Sequence, residues 1–308
     1  MSKSCQIAIL MATLNGEKFL KAQLDSIENQ NFKNWILYVS DDGSTDETIN
    51  ILKKYQNRWG KEKLEIRQGP KNGYQANFMS LICDPKIKAQ FYAFCDQDDV
   101  WLPNKLSISK SKLESLNKNI PLLYCARTQY VNPYLRPIGL SPLFSYKPSF
   151  GNALVQSIGG GNTMLMNYEL KKIIGSIGNV PIVSHDWWFY QIATGVGGSV
   201  LYDDEPSILY RQHPDNIIGE NTSKLARFER LCLLLKGRFK RWVDINLNAL
   251  QCSERYLTPE NQIILKDFKK MRNSHILHRI QMIKKCCLYR QTIQGSISLW
   301  IAAILNKI

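Results

Sequence analysis

Apolar and polar positions along the first hundred residues alternate in blocks with two different periods. The segment 17–29 places Leu20, Leu24 and Ile27 on one face of a helix. Short apolar runs with the length and composition of buried strands occur at residues 7–11, 35–40, 64–67 and 91–95. Strands that alternate with amphipathic helices predict an α/β fold, with helices flanking a mostly parallel sheet.

Two further helix starts are marked by local signals. Ser44-Thr45-Asp46-Glu47 has the form of a capping box that opens a helix after the second strand. Asn72-Gly73 is a turn that leads into another helix. Both signals support the alternation of strands and helices.

The chain divides into two regions by composition. Residues 120–166 carry a Gly159–Gly161 run ahead of a strand-like segment at 163–166, and we interpret them as a mixed second half of the first domain. A helix is predicted to begin near Ser184, and short strands at 199–202 and 207–210. After about Ser223 the sequence becomes basic and helical, so we predict an α/β domain over 1–223 and a mainly helical region over 224–308.

Composition favours a folded protein in a reducing compartment. With 308 residues, 44% of them hydrophobic, the chain can bury a large core. Its eight cysteines form no C-x-x-C pair, so a metal-thiolate site is not expected, and several lie in apolar runs as buried thiols do, so disulfides are not expected either. The amino terminus lacks signal-peptide features, and no apolar stretch reaches the roughly 18 residues of a spanning helix. We therefore expect a cytoplasmic protein that is not integral to a membrane.

The net charge of +14 is unevenly distributed. Residues 224–308 hold 17 Lys and Arg against 5 Asp and Glu, whereas residues 1–223 hold 23 against 21. Residues 224–243 have apolar side chains at helical spacing flanked by basic ones, which predicts an amphipathic helix able to lie on an anionic membrane. That helix could instead pack on the first domain. No recognised nucleic-acid motif accompanies the charge, so we expect no nucleic-acid partner.

The most informative segment is FYAFCDQDDVWL at residues 91–102. An apolar run is followed at once by Asp96, Asp98 and Asp99, so a parallel sheet would deliver these carboxylates to its carboxyl edge. Carboxylate oxygens are ligands that Mg²⁺ and Mn²⁺ prefer, and a bound cation offsets their repulsion. A solvated acidic turn that caps the next helix is the plainer alternative, but Trp101 and Pro103 place apolar groups beside the acids.

Polar residues also follow the first two strands. The segment ATLNGE at 12–17 has one glycine where a dinucleotide-binding turn needs three, and no P-loop sequence occurs in the chain. The second strand ends in Asp41-Asp42. Because the carboxyl ends of parallel strands meet at one edge, these loops and the acidic cluster predict a site whose first two loops contact a base and ribose and whose metal contacts the phosphates.

Four segments in this order resemble a known family. They are MATLNGEKFL, VSDDGSTDET, NGYQANF and FCDQDDVWLPNKL. Together they resemble the inverting family 2 glycosyltransferases of the GT-A fold, particularly bacterial enzymes of O-antigen, capsule or wall polysaccharide synthesis, including rhamnosyltransferases. The likeness spans about residues 5–215, and it would make 1–223 a GT-A catalytic domain.

The resemblance implies roles for individual residues around a nucleotide-sugar donor. Thr13, Asn15 and Glu17 match residues that surround the base and ribose, and Asp42 with Asp41 matches the acid that binds the base or ribose. A segment that lines the donor pocket is matched by Asn72, Gly73 and Asn77. Arg211 is grouped with these donor-binding residues.

The resemblance also implies a metal site and a general base. Asp96 and Asp98 match the D-x-D pair, with Asp98 as the direct ligand of Mn²⁺ or Mg²⁺ and Asp96 nearer the ribose. His213 lies where related enzymes place a further metal or diphosphate contact. Asp186, at the start of a helix, matches the acid that removes the acceptor proton.

Several residues near these motifs also have a simpler, structural interpretation. His213 could be an ordinary loop histidine, and His185 is interpreted as structural. Trp187 and Trp188 could belong to the core, or one of them could stack on an acceptor sugar. Asp46 and Glu47 are interpreted as helix caps.

The function implied is transfer of a hexosyl or deoxyhexosyl residue from a dTDP- or UDP-sugar to a lipid-linked saccharide, with inversion at the anomeric carbon. The D-Q-D-D-x-W form favours dTDP-rhamnose, and the lack of a Q-x-x-R-W motif disfavours processive synthesis. A lipid-linked acceptor agrees with peripheral attachment at the inner face of the cytoplasmic membrane. The alternative is a non-catalytic nucleotide-binding adaptor at membrane or nucleic acid.

Overall fold

The computed structural model describes residues 6–213 and 236–308. In the first hundred residues strands and helices alternate as the sequence pattern predicts. These elements are β1 (Ile7–Thr13), α1 (Glu17–Glu28), β2 (Trp35–Asp41), α2 (Thr48–Trp59), β3 (Leu64–Gln68), α3 (Gly73–Ile82) and β4 (Phe91–Cys95). Each predicted apolar run forms a strand, and β4 has the predicted bounds.

The second half of the α/β domain mixes short strands with helices. Its elements are β5 (Val100–Trp101), α4 (Lys105–Glu114), β6 (Leu122–Ala126), β7 (Gln129–Val131), β8 (Pro137–Leu140), α5 (Phe150–Ala153), β9 (Leu165–Asn167), α6 (Tyr168–Ile177), α7 (His185–Gly195), β10 (Ser199–Asp203) and β11 (Ile208–Arg211). A 3₁₀ turn at Gly161–Thr163 occupies part of the predicted 163–166 strand, so β9 begins later than expected.

Seven strands form the large sheet, in the order β10-β6-β9-β4-β1-β2-β3. All neighbouring pairs are parallel except those made by β9, which runs antiparallel to both β4 and β6. β1 and β4 are buried along almost their whole length because helices cover both faces of the sheet. The structure thus has the expected mostly parallel sheet flanked by helices.

A second sheet of four strands, in the order β5-β11-β7-β8, lies beside the large one. β11 pairs antiparallel with β5 and parallel with β7. Because β5 follows the acidic cluster directly, this small sheet ties the cluster to the segment that carries Arg211 and His213.

The basic region contains four described helices, α8 (Arg238–Cys252), α9 (Pro259–Arg272), α10 (Ile276–Lys285) and α11 (Ile293–Ile304). Phe239 and Val243 are buried in the same apolar core as Phe150 and Phe189 of the α/β domain. The described end of the predicted 224–243 helix therefore packs against the α/β domain. Residues 224–235 and the predicted boundary at 223/224 lie outside the described residues. No helix in the described ranges is long and apolar enough to cross a bilayer.

The predicted capping box does not form. Ser44 Oγ instead donates to Asp41 Oδ2 at 2.5 Å and accepts the Asn15 N–H at 2.8 Å. Helix α2 begins at Thr48, whose N–H is bound by Asp46 Oδ1 at 3.0 Å. The Asp46 carboxylate thus binds the first N–H of α2 as expected, whereas Glu47, at the N-cap position, makes no side-chain cap bond and the Ser44 hydroxyl is used by Asp41 and Asn15.

Candidate active site

The site lies at the carboxyl edge of the large sheet, where β1, β2 and β4 end side by side. Thr13 pairs with Asp41 in the β1–β2 register, and Met11 pairs with Cys95 in the β1–β4 register. The loops that follow these strands therefore meet, which is the arrangement that places ligands at the edge of an open α/β sheet.

Asp41 is buried and serves the loops themselves. Its Oδ1 accepts the N–H groups of Gly43 and Ser44, and its Oδ2 accepts the hydroxyls of Ser44 and Thr13, the latter at 3.0 Å. Thr13 is also buried. The structure therefore places Thr13 and Asp41 beneath the surface of the site, as supports of the loop after β2.

Asn15 and Glu17 join the loops after β1 and β2. Asn15 has left-handed backbone (φ 49°), and its side-chain oxygen accepts the Thr45 N–H at 2.9 Å. Glu17 accepts the Glu47 N–H at 2.9 Å. Both residues are solvent-exposed at the edge where the nucleotide was expected, but Asn15 Oδ1 and Glu17 Oε2 already accept hydrogen bonds within the protein.

Asp42 binds the loop between β3 and α3. Its Oδ1 accepts the Lys71 N–H at 2.8 Å and its Oδ2 the Gly73 N–H at 3.2 Å. Gly73 has φ +84°, a conformation that glycine adopts readily. Asp42 stays partly exposed beside this turn, and Asn72 is exposed at the start of α3.

Asn77 is buried one turn into α3. Its Nδ2 donates to the Ser40 carbonyl at 2.9 Å, whereas its Oδ1 is buried with no hydrogen-bond partner among the described residues. A Cβ on Gly69 would lie 2.9 Å from Asn77 Oδ1 and 2.5 Å from Asp42 Oδ1, so only glycine fits between these two expected donor-site residues.

Asp96 and Asp98 follow β4 as the sequence indicates. Burial, together with the charges of Asp98 and Asp186, raises the pKa of Asp96 to about 8. Between the two acids, Gln97 exchanges two 3.0 Å hydrogen bonds with the backbone N–H and carbonyl of Leu14. Gln97 thereby fixes the acidic loop against the loop after β1, a role that sequence reasoning did not assign.

His213 and Arg211 bind the acidic loop from the small sheet. His213 Nε2 lies 2.9 Å from Asp98 Oδ2, and its ring packs on Phe19 with centroids 5.0 Å apart. Arg211 Nε donates to the Asp98 carbonyl at 2.8 Å, and its guanidinium lies over Phe19 at 4.5 Å. Arg211 is buried, so its contacts position the loop rather than meet a ligand.

Asp99 is the third acid of the cluster, and sequence reasoning assigned it no role. It is completely buried, and accepts the Asn162 side-chain N–H at 2.6 Å and the Arg211 N–H at 3.2 Å. Burial and the charges of Asp98 and Asp96 raise its pKa well above the ordinary value. The third aspartate and the glycine-rich run ahead of Asn162 were the available signals, but the sequence does not show that they meet.

Asp186 stands in the first turn of α7, close enough to the acidic cluster for its charge to raise the pKa of Asp96. Its Oδ1 accepts the Trp187 N–H at 2.7 Å, and in the described chain no protein donor is bonded to Oδ2. Burial, together with the charges of Asp186 and Asp96, raises the pKa of Tyr74 to about 12. Tyr74 therefore lies within electrostatic range of both acids, and its place in the NGYQANF segment was the only sequence signal for this.

His185 fixes the start of α7 within an apolar environment. Its ring stacks on Phe78 with centroids 4.1 Å apart, and burial lowers its pKa to about 4, so the imidazole is neutral. A Cβ on Gly161 would lie 2.0 Å from His185 Nε2. The glycine-rich loop thus packs directly on the residue before Asp186, and the structural interpretation of His185 agrees with these contacts.

Trp187 and Trp188 are both buried, and the Trp187 indole N–H donates to the Ala153 carbonyl at 2.6 Å. The structure places both rings in the core, so the alternative of an acceptor-stacking ring here is wrong.

The residues that could hold a divalent cation are Asp96, Asp98 and His213. No group of three or more His, Cys, Asp or Glu side chains is preformed for a metal in residues 6–213 and 236–308. The charges nevertheless suit a cation, because the Asp98 carboxylate contributes to the raised pKa of Asp96. Mg²⁺ and Mn²⁺ are commonly held by one or two carboxylates plus substrate phosphates, so this donor set fits a metal that arrives with a diphosphate.

Sequence comparison identifies the family. The model of glycosyl transferase family 2 matches residues 8–169, just over half of the chain. The dTDP-rhamnosyl transferase RfbG of Shigella flexneri is 32% identical over 250 residues, which cover 78% of this chain and 84% of RfbG. The UDP-Glc:alpha-D-GlcNAc-diphosphoundecaprenol beta-1,3-glucosyltransferase WfgD of Escherichia coli is 32% identical over 119 residues, 38% of this chain and 44% of WfgD.

Solved structures share the fold. S. aureus TarS 1–349 in complex with UDP-GlcNAc has a TM-score of 0.56 at 15% identity, covering 97% of this chain and 90% of that one. The mannosyltransferase PcManGT from Pyrobaculum calidifontis, in complex with GDP-Man and Mn²⁺, has a TM-score of 0.51 at 13% identity, covering 99% and 88%. Together with the family match and the extent of the RfbG relation, this shows that the chain belongs to glycosyl transferase family 2 and has the GT-A fold.

Proposed function

We propose that this protein is a metal-dependent inverting glycosyltransferase that transfers a sugar from a nucleoside diphosphate to a lipid-linked saccharide. The observation that carries the proposal is the convergence of Asp186 with Asp96 and Asp98 at the carboxyl edge of the sheet, close enough for the Asp98 and Asp186 charges to raise the pKa of Asp96. A structural role alone does not account for two acids placed where their charges disfavour the ionised form of a third.

The donor lies across the loops that follow β1, β2 and β3. Asp42 and Asn72 are exposed or partly exposed there, so these two provide polar atoms for the base and ribose, and the buried Asn77 lines the pocket from behind through its bond to the Ser40 carbonyl. Thr13 and Asp41 hold this surface from below. Asn15 and Glu17 keep the first two loops in contact.

Asp96, Asp98 and His213 would hold Mn²⁺ or Mg²⁺ against the diphosphate. The metal, when bound, neutralises the charge that develops on the leaving nucleoside diphosphate. Arg211 and Asp99 keep Asp98 in place through its backbone and its neighbours. Gln97 holds the same loop from the other side, so the two acids are supported from both flanks.

Asp186 is the general base. Its Oδ1 is held by the Trp187 N–H in the first turn of α7, and Oδ2 is left to accept the proton of the acceptor hydroxyl. Attack by that hydroxyl on the anomeric carbon, opposite the leaving diphosphate, inverts the configuration in a single displacement. The hydrogen bond to Oδ1 orients the carboxylate, which reduces the cost of aligning the two reacting groups.

The proposed donor is dTDP-rhamnose, with UDP-glucose, UDP-galactose and UDP-N-acetylhexosamines as the next candidates. The extent of the RfbG relation supports the first choice, and WfgD, a glucosyltransferase, supports the second. An acceptor on a diphosphate-linked lipid is suggested by the name of WfgD. Such an acceptor places the protein at the inner face of the cytoplasmic membrane, with residues 1–223 as the catalytic domain and 224–308 as its basic helical extension.

The test is to incubate the purified chain with a panel of dTDP- and UDP-sugars, with and without Mn²⁺, and to measure binding and release of the nucleoside diphosphate. We expect one sugar nucleotide to be hydrolysed slowly without acceptor and only with a divalent metal. Binding without turnover, even with lipid-linked acceptors extracted from bacterial membranes, would favour the non-catalytic adaptor. Neither binding nor turnover of any donor would overturn the proposal.

A further inference from the structure

The last helix exposes a row of large aliphatic side chains. In α11, Ile293, Ile297, Ile301 and Ile304 recur at spacings of four, four and three, which places them on one face. Ile293 is 72% exposed and Ile297 55% exposed, while the opposite face buries Leu299, Ala302 and Ala303. No charged residue occurs between 291 and 306. Because α11 buries one face and exposes its isoleucines on the other, it presents an apolar surface that a partner could cover.

A second exposed apolar segment belongs to the small sheet. The β7–β8 hairpin and the loop after it expose Tyr134, Ile138, Leu140, Leu143 and Tyr146. This segment is joined to the candidate active site, because the Pro133 carbonyl accepts a hydrogen bond from Arg211 Nη1 at 2.5 Å.

The two segments meet. Tyr146 N–H donates to Gln291 Oε1, and Gln291 Nε2 donates to the Tyr146 carbonyl, both at 2.9 Å. The Tyr146 ring packs edge-on against Tyr289, with centroids 5.9 Å apart. Tyr146, at the end of the first segment, therefore adjoins the residues that lead into α11. We refer to residues 134–146 and 293–305 together as the apolar docking surface.

The charged residues in the two stretches of sequence that form this surface are all basic. Residues 115–168 contain four Lys and Arg, and residues 268–308 contain eight, but neither range contains Asp or Glu. Arg136 and Lys147 are exposed within or beside the first segment, and Lys284 is exposed on the helix that precedes and packs on α11, whereas the neighbouring Lys285 is paired with Asp267 at 2.8 Å. Basic residues around aliphatic side chains complement an anionic lipid interface. Two copies of such a surface would repel each other.

We propose that the apolar docking surface binds an anionic lipid bilayer, with the isoleucines of α11 and the loop at Leu143 entering the interface. The proposal rests on the proposed function, since it brings the side of the site next to Pro133 and Arg211 to the lipid that carries the acceptor. It assigns the membrane contact to segments other than the 224–243 helix, whose described end is packed in the core. The hairpin then links the bilayer to the loop that holds Asp98.

The test uses the full chain with sedimented vesicles of phosphatidylcholine, with and without half phosphatidylglycerol. Ile297→Asn and Leu143→Asn should each lower binding to the anionic vesicles about tenfold or more, because an aliphatic group that partitions into lipid is replaced by an amide. Ile263→Asn is the matched control, since Ile263 is 59% exposed on α9, a helix that also carries Glu260 and Asp267. All three sites are exposed, so folding should be retained. Binding should weaken at high salt.

Unchanged binding of both variants would overturn the proposal. The proposal would also be overturned if sedimentation velocity showed that the parent is a dimer and both variants are monomers. The apolar docking surface would then bind a second copy of the chain and not a bilayer. Donor hydrolysis separates this outcome from the proposed function. Both variants should hydrolyse the donor and glycosylate a water-soluble acceptor normally, and should lose transfer to acceptor embedded in vesicles. If the parent and control bind vesicles more strongly than the two variants but no protein turns over a donor, the proposed lipid contact stands. Only the proposed enzymatic function is then refuted.

Discussion

The side-chain amide of Asn162 donates a 2.6 Å hydrogen bond to Asp99, a carboxylate that is completely buried behind the acidic cluster. This bond joins the glycine-rich loop to the loop after β4. Asp99 also binds the N–H of Arg211, whose guanidinium holds the Asp98 carbonyl. A single buried acid thus connects the three segments that surround the proposed metal site.

Removing this amide should destabilise the protein. Asn162→Ala leaves one Asp99 oxygen buried without its donor, which costs about 1–3 kcal/mol. Urea unfolding followed by circular dichroism should show that loss, while Asn119→Ala, at an exposed asparagine, should stay within about 0.5 kcal/mol of the parent. Equal stability of the two variants would show that Asp99 finds another partner.

Replacing the proposed base should affect turnover and spare donor binding. Asp186→Asn keeps the shape of the side chain but cannot accept a proton, so kcat should fall about 10²–10⁴-fold. Titration calorimetry should give an almost unchanged donor Kd. Asp204→Asn, at an exposed acid, is the control and should be fully active. A defect confined to donor affinity would place Asp186 at the nucleotide instead.

The metal role can be tested at Asp98. Asp98→Ala should remove most activity and weaken donor binding in Mn²⁺, and the parent should lose activity in EDTA. The fold should survive, because deleting one of two neighbouring carboxylates relieves repulsion on Asp96. Donor affinity should be similar for parent and variant when both are measured in EDTA. Normal turnover in EDTA would contradict metal dependence.

The contact between the glycine-rich loop and His185 gives a steric prediction. In Gly161→Ala the new Cβ would lie 2.0 Å from His185 Nε2, so the start of α7 must shift; we expect a loss of about 1–3 kcal/mol together with reduced kcat. Gly175→Ala is the matched control, because a Cβ there meets nothing within 4 Å and the helix α6 should gain up to about 1 kcal/mol.

A double variant checks the cause. If the clash is responsible, Gly161→Ala should cost less stability in a His185→Ala background than in the parent. Additive losses would mean that the backbone of the loop, and not its approach to His185, is what requires glycine.

The sequence by itself determined the strand order along the chain and much of the site. The run 91–95 is apolar and is followed at once by acids, which predicts a buried strand that ends just before Asp96, and β4 has those bounds. The four family segments place Asp42, Asp96 and Asp98 on loops after parallel strands. Local pattern suffices here because the polypeptide geometry of an α/β unit brings such loops to one edge.

Only the tertiary structure decided which polar side chains form hydrogen bonds within the protein. Asp41 and Asp42 are neighbours in sequence, yet Asp41 is buried under four hydrogen bonds while Asp42 stays partly exposed. The sequence predicts Ser44 as a helix cap, but its hydroxyl is bound by Asp41, three residues earlier, and by Asn15, which the β1–β2 pairing brings close. Asp99 meets Asn162 across 63 residues. Hydrogen-bond partners this distant compete on equal terms with local ones once the chain is folded, and no sequence pattern records that competition.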